Sequence, residues 1–291
     1  MLCVLYRRSY DSGYLGAEKR EDAVIHNTQG WKISYKRPAT GRPNPRITMY
    51  LLYKSRKRKN MSTTAIIPVR EGSRRLKNKN VAPFAGTNLL INKINQLKQV
   101  SEIDTIVVSS DSELMLAMAS SQDVLTHKRA PEFCDEKSKT FGEVVAHICE
   151  NVRGDDILWA TCTAPLVFPK HYHDAIHIYK QKLQEGYDSL VSMQEIKRYL
   201  WDENGPINYE LGIKHVPSQQ LPPLYFCTDG ILLAPRVKMI EWKYFHGTSP
   251  YRYILDKRTS IDIDDGLDLA CARAWLDMDA SVSQIDPYCV E

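Results

Sequence analysis

From Thr63 onward the chain alternates short, continuous apolar runs with segments of helical period, and that alternation leaves few folds open. Thr63–Val69, Thr105–Ser109, Val124–His127, Asp156–Thr161 and Ser189–Met193 read as strands. Between them, Leu89 to Val100 places Leu90, Ile91, Ile94, Leu97 and Val100 on one helical face. Glu113 to Ala119 is helical, Thr140 to Val152 turns Val144, Val145, Ile148 and Val152 one way, and Pro169 opens a helix reaching about Glu185. Strands without polar alternation are buried on both faces, and one helix between each pair marks parallel crossovers. The expected fold class is α/β, a mainly parallel sheet with helices on both faces.

Two stretches depart from this rhythm. Residues 195–225 hold Pro206, Pro217, Pro222 and Pro223 and are expected to leave the sheet as a small β or irregular excursion, serving as a subdomain or a dimer contact. Tyr225–Pro235 then returns as a strand. The last unit is a strand, Ser260–Asp264, followed by a helix from Asp265 to Met278 with Leu267, Ala270, Cys271, Ala274, Trp275 and Met278 facing inward.

Charge divides the chain at Met61. Residues 1–60 hold 14 Lys/Arg against 4 Asp/Glu, and the remainder holds 25 against 31. A basic leader is thus joined to a mildly acidic body, residues 61–291, long enough to fold as one domain. The leader shows no sustained period and is expected to be a disordered tail, or translated sequence upstream of a true start at Met61. Its end, Lys54-Ser55-Arg56-Lys57-Arg58-Lys59, suits nucleic acid, anionic lipid or an import receptor. Leu2 to Tyr6 is too short for a signal-peptide core, and no run reaches the ~18 apolar residues of a membrane helix. Seven scattered cysteines without a C-x-x-C pair fit reduced thiols in a cytoplasmic protein. His171-x-His173-x-x-x-His177 puts two imidazoles on one helical face, but without an H-E-x-x-H glutamate it reads as a solvated surface.

The chemistry-bearing residues lie where strands end. The first strand empties into Arg70-Glu71-Gly72-Ser73-Arg74-Arg75-Leu76-Lys77-Asn78-Lys79-Asn80, a Gly/Ser loop crowded with cations. Fixed cations and backbone N–H groups there can surround phosphate oxygens. The loop fits neither a Walker A sequence nor a G-x-G-x-x-G turn. In open α/β sheets ligands sit beyond the carboxyl ends of strands, which aligns this loop with Asp111, Arg129 and Thr161–Thr163 on one rim. No aromatic stripe accompanies the loop, so a single-stranded nucleic-acid groove is not expected. Near the C-terminus, Asp262 and Asp264 alternate with Ile261 and Ile263. On a strand their Cα atoms would stand roughly 6–7 Å apart on one face, a spacing at which two carboxylates converge on one Mg²⁺ shared with substrate phosphates.

Ile67-Pro68-Val69-Arg70-Glu71-Gly72-Ser73-Arg74 with Lys77-Asn78-Lys79-Asn80 resembles the opening of acylneuraminate cytidylyltransferases (CMP-sialic acid synthetases). Val108–Glu113, Lys128–Glu132, Thr163–Leu166 and Ser260–Asp264 resemble four later motifs of that family, in the same order. The resemblance spans residues 63–278 and implies a Rossmann-like nucleotidyltransferase fold. It also implies transfer of CMP from CTP to the anomeric hydroxyl of a sialic-acid-like nonulosonic acid, with release of pyrophosphate. Under it Arg70 and Lys79 hold the triphosphate, supported by Gly72, Ser73, Arg74 and Lys77. Asn80 and Arg129 address the cytidine, Thr140 the ribose, and Asp262 and Asp264 hold Mg²⁺. Thr161, Thr163, Lys197, Arg198 and Asp229 fall to the sugar acid, and a homodimer is implied. Three departures stand out: Glu71 replaces a glycine beside the phosphates, Thr161 a glutamine, and Asp229 an asparagine. Two other readings stay open, a D-x-D glycosyltransferase using a nucleotide sugar and a catalytically inactive nucleotide-binding homologue.

Overall fold

The computed structural model describes residues 22–26, 32–36, 61–73, 75–135 and 137–281. Arg74 and the basic tract 54–59 lie outside the described residues. The chain divides into two compact units, residues 1–61 and 62–291.

In the first unit, β1 (Asp22–His26) pairs antiparallel with β2 (Lys32–Lys36), setting Ile25 opposite Ile33. Two five-residue strands are too short to register as a sustained period, which is why the sequence reading saw none.

In the second unit, β3 (Thr63–Pro68) leads through a short hairpin, β4 (Pro83–Phe84) and β5 (Thr87–Asn88), into α1 (Leu89–Lys98). Then come β6 (Thr105–Ser110), α2 (Glu113–Ser120), β7 (Leu125–Lys128), α3 (Phe141–Asn151) and β8 (Asp156–Trp159). They are followed by α4 (Pro169–Lys182) and β9 (Ser189–Ile196). The excursion carries a two-stranded ribbon, β10 (Trp201–Asp202) with β11 (Gly205–Pro206). The chain closes with β12 (Leu224–Pro235), α5 (Arg236–Trp242), β13 (Pro250–Ile254) and α6 (Gly266–Ser281).

Seven strands form one sheet in the order β13-β9-β12-β8-β3-β6-β7. β3 is parallel to β6 and β8, β6 to β7, and β9 to β13; among the described strands of this sheet β12 alone is antiparallel to its neighbours. The expected mainly parallel α/β sheet is therefore what the chain forms. Period two along β3 sends Ala65 and Ile67 to one face and Ile66 to the other. Ala65 and Ile67 join a core with Leu89, Leu90, Ile94 and Leu97 of α1 and Tyr172, Ala175, Ile176 and Tyr179 of α4. Ile66 packs with Val145, Ile148 and Cys149 of α3 and Met239 of α5. Each fully buried leucine or isoleucine contributes about 1.5–3 kcal/mol over its exposed state.

Two expectations are corrected at the C-terminal end. The sheet's last strand is β13, whereas 260–264 is a loop held to the body by Ile263 N donating to Thr163 O at 2.8 Å. In α6 the buried positions are Leu269 and Ala272, and Leu267, Ala270, Cys271, Ala274, Trp275 and Met278 are exposed. Leu269, Ala272 and Leu276 form a second apolar stripe at helical spacing, and period alone does not choose between two stripes. Arg273 fixes the choice by donating to the Pro83 carbonyl from Nε at 3.1 Å and from a terminal guanidinium nitrogen at 2.5 Å. No helix among the described residues is long and apolar enough to cross a membrane.

Candidate active site

The basic loop begins where β3 stops pairing. Val69 N still donates to Ser109 O at 2.9 Å, and Glu71 N donates to Asp111 Oδ1 at 3.0 Å, so the residue after β6 anchors the loop's entry. Gly72 at φ 79° and Asn78 at φ 55° supply the two left-handed turns that fold the loop back into a 3₁₀ turn, Lys79–Val81. Asn80, buried, spans the base of the loop. Its Nδ2 donates to Arg70 O at 3.0 Å, and its Oδ1 accepts from Cys162 Sγ at 3.4 Å. Arg70 donates to Cys134 O at 3.1 Å. Arg129, next after β7, is buried; its guanidinium donates to the Val69 carbonyl, and its Nε has no hydrogen-bond partner among the described residues.

Across from the loop stand three carboxylates. Asp264 bridges two loop cations, Lys79 Nζ at 3.1 Å and Arg75 NH1 at 2.9 Å. Asp262 hydrogen-bonds Thr163, and its Oδ1 is buried without a partner among the described residues. Burial raises the Asp262 carboxyl above its ordinary range, against the lowering influence of Thr163 and Lys79. Asp229 sits in the irregular stretch of β12 at φ 51°, where the register with β9 shifts. Burial, then the charges of Asp262 and Asp264, raises its carboxyl too. Three acids from two chain-distant segments thus share one field.

The floor of the site is the segment 161–167 after β8. Thr161 Oγ1 donates to Asp229 O at 2.9 Å. Beneath it lies Lys93 of α1, fully buried, which donates to Ala164 O at 2.9 Å and Tyr172 Oη at 2.7 Å; Gln96 donates to Pro165 O at 2.7 Å. The sequence reading missed these supports, although a lysine and a glutamine among Leu89, Leu90, Ile94 and Leu97 on a buried helical face were the available signal. Above the floor, β12 passes so close that a Cβ on Gly230 would stand 2.9 Å from Val167 Cγ2.

These elements enclose a cavity of about 600 Å³. Of the residues singled out from sequence, Arg70, Ser73, Lys79, Asn80, Arg129, Thr161, Thr163, Asp229 and Asp264 line it, with Arg75 added. Asp262 is not among the lining residues. Gly72 and Lys77 are exposed on the loop and do not line the cavity, nor does Glu71, which is exposed as well. Thr140 is occupied as the N-cap of α3 in a reciprocal capping box with Glu143, and the wall there is made by Phe141 and Val144. Lys197 turns to Leu221 O and Glu195 at 3.1 Å each, and Arg198 is exposed on the excursion; neither reaches the cavity.

Residues 64–205, which include the basic loop, Arg129 and the segment 161–167, match the family model described as Cytidylyltransferase. A cytidylyltransferase domain is therefore recognisable over this stretch of the chain. Among the proteins similar to this chain is the N-acylneuraminate cytidylyltransferase of Streptococcus agalactiae serotype V, 24% identical over 212 residues, covering 70% of this chain and 51% of that protein. The CMP-N,N'-diacetyllegionaminic acid synthase of Legionella pneumophila subsp. pneumophila is 26% identical over 235 residues, covering 75% of this chain and 97% of that protein. The family read from the five sequence motifs is therefore borne out. The chain spans about half the length of the first curated relatives it matches. In fold it is similar to a CMP:2-keto-3-deoxy-manno-octonic acid synthetase solved with CTP, at a TM-score of 0.56 and 11% identity, over 75% of this chain and 99% of that one.

Proposed function

We propose that the chain transfers CMP from CTP to the anomeric hydroxyl of a sialic-acid-like nonulosonic acid. The hydroxyl oxygen forms a bond to the α-phosphorus, the bond from that phosphorus to the β-phosphate bridging oxygen breaks, and pyrophosphate leaves. The observation that carries this reading is the meeting of Asp264 with Lys79 and Arg75 at a cavity also lined by Arg70, Asn80 and Arg129. Cations on one wall and carboxylates on the other are what a metal-bridged triphosphate requires.

Arg70, Lys79 and Arg75 hold phosphate oxygens, and Asn80 and Arg129 stand deeper, where the base is read. Asp229, its carboxyl raised by burial and two neighbouring acids, lines the cavity beside Thr161 on the side given to the sugar acid. Asp262 and Asp264 suit Mg²⁺. Both are hard oxygen donors, and Asp262 Oδ1 is a buried acceptor without a partner among the described residues. When bound, Mg²⁺ supplies charge neutralisation at the phosphates and eases loss of the hydroxyl proton. Glu71 gives no support to the reading of an inactive homologue, because its side chain is exposed outside the cavity.

The relatives named for sialic and legionaminic acids motivate a nonulosonic acceptor. The excursion, with Tyr199, Trp201, Ile207, Leu211 and Ile213 exposed, supports a homodimer. Pyrophosphate release from CTP and Mg²⁺ with a panel of nonulosonic acids tests the activity. Turnover with one of them, lost in Asp262→Asn, is expected; no turnover with any, or an unaffected Asp262→Asn, overturns it.

A further inference from the structure

On the outer face of α4, away from the cavity, His173 and His177 stand one helical turn apart, with ring centroids 4.5 Å from each other. The sequence reading saw these two imidazoles and no third donor. The fold supplies one from 71 residues earlier. Glu102, in the turn between α1 and β6, places Oε1 2.8 Å from His173 Nδ1 and 2.9 Å from His177 Nε2. Its other oxygen is held by Ser101 Oγ at 3.1 Å, which leaves Oε1 turned toward both rings. Among the described residues this is the one group of His, Cys, Asp and Glu whose ligating atoms all lie within 4.8 Å of one another.

We propose that Glu102, His173 and His177 form a Zn²⁺ site that clamps the α1–β6 turn to α4. Two imidazole nitrogens and one carboxylate oxygen are the donor set of a three-ligand zinc site with its fourth position open to solvent. Zn–N and Zn–O bonds of about 2.0–2.2 Å in tetrahedral array put ligand atoms about 3.4 Å apart. The present separations of 2.8 and 2.9 Å therefore have to open by only about half an ångström. Both histidines are more than half exposed, so their rings can make that adjustment and an ion can reach them. Ser101 is the outer partner that orients the carboxylate. The site is unlike the Asp262/Asp264 pair in kind, because imidazole favours zinc over magnesium. It does not depend on the proposed transferase activity.

The test uses the full chain stripped with a chelator, titrated with ZnCl₂ by calorimetry and followed by thermal melting at pH 7.5. One equivalent should bind, and at 100-fold over Kd the Tm should rise by about 5 °C. His173→Ala and His177→Ala, both at exposed positions, should each weaken binding at least about tenfold and abolish the Tm rise, while Asp262→Asn leaves both intact. Co²⁺ in place of Zn²⁺ should give the visible bands of a four-coordinate ion. Absence of binding, or binding that survives in the His173→Ala/His177→Ala double variant, overturns the proposal and leaves a hydrogen-bonded surface triad.

Discussion

Asp229 holds a left-handed backbone position that costs most side chains energy and that asparagine and aspartate tolerate best. Asp229→Asn therefore keeps the backbone while removing the carboxylate from its crowded acidic neighbourhood. Because the resembled family carries asparagine at this position, the variant should keep kcat within about tenfold, shift the KM for the acceptor and not that for CTP, and leave Tm unchanged. Steady-state kinetics beside a thermal melt decide it. Lys93 offers a second residue-scale test. Burial drives its ammonium down to about 7. The unfolded chain keeps the ordinary value of about 10.4, so between those limits the unfolded state holds more protons and stability climbs with rising pH. Urea melts of wild type and Lys93→Met should diverge in the wild type's favour from pH 7 to 10, by a term on the order of 4 kcal/mol. A difference flat with pH would show that the ammonium does not titrate in this window. Because Lys93 carries the Ala164 and Tyr172 contacts, the variant should also lower kcat/KM through a displaced floor.

At the scale of elements, helix starts were easier to read than helix faces. Thr140 followed three residues later by Glu143 is a capping box in sequence and in structure. Its hydroxyl is engaged with Glu143 and not with the cavity, so Thr140→Ala should lower Tm by about 2–4 °C and leave the KM for CTP unchanged, with Thr140→Ser restoring the melt. A raised KM in that variant would return Thr140 to the ribose. The inward face of α6 was misread because the helix carries two apolar stripes. The D-x-D segment was misread as a strand because alternating Ile and Asp is also what a loop presents when one isoleucine is swallowed by the core and each carboxylate has its own partner. Period two reports which side chains alternate, and ladder bonds decide whether a strand exists.

For the whole molecule, the continuous apolar runs from Thr63 to Met193 were enough to give the sheet, its dominant direction and its helical cover. The antiparallel β12, the edge strand β13 and the helix α5 were not legible in full, because their placement depends on pairings between residues tens of positions apart. The candidate site followed the same division. Residues shortly after strands, such as Arg70, Arg129 and Thr161, were found by the rim rule, and Lys79 came with the loop that follows β3. Lys93 and Gln96, which act from beneath, and Arg75, one cation among many, needed coordinates. The excursion gives a prediction at this scale: if its exposed apolar side chains join two copies, Leu211→Asp/Ile213→Asp should convert a dimer to a monomer in light scattering without lowering the monomer's helix content. A wild type that runs as a monomer removes the pairing altogether.

The contact of Asp264 with Lys79 and Arg75 has a thermodynamic corollary. Each side of the cleft satisfies the other while no ligand is present. An anion that captures the two cations releases the carboxylate, and a cation that captures the carboxylate releases the lysine and arginine. Two guests of opposite sign would therefore ease one another's entry by equal amounts.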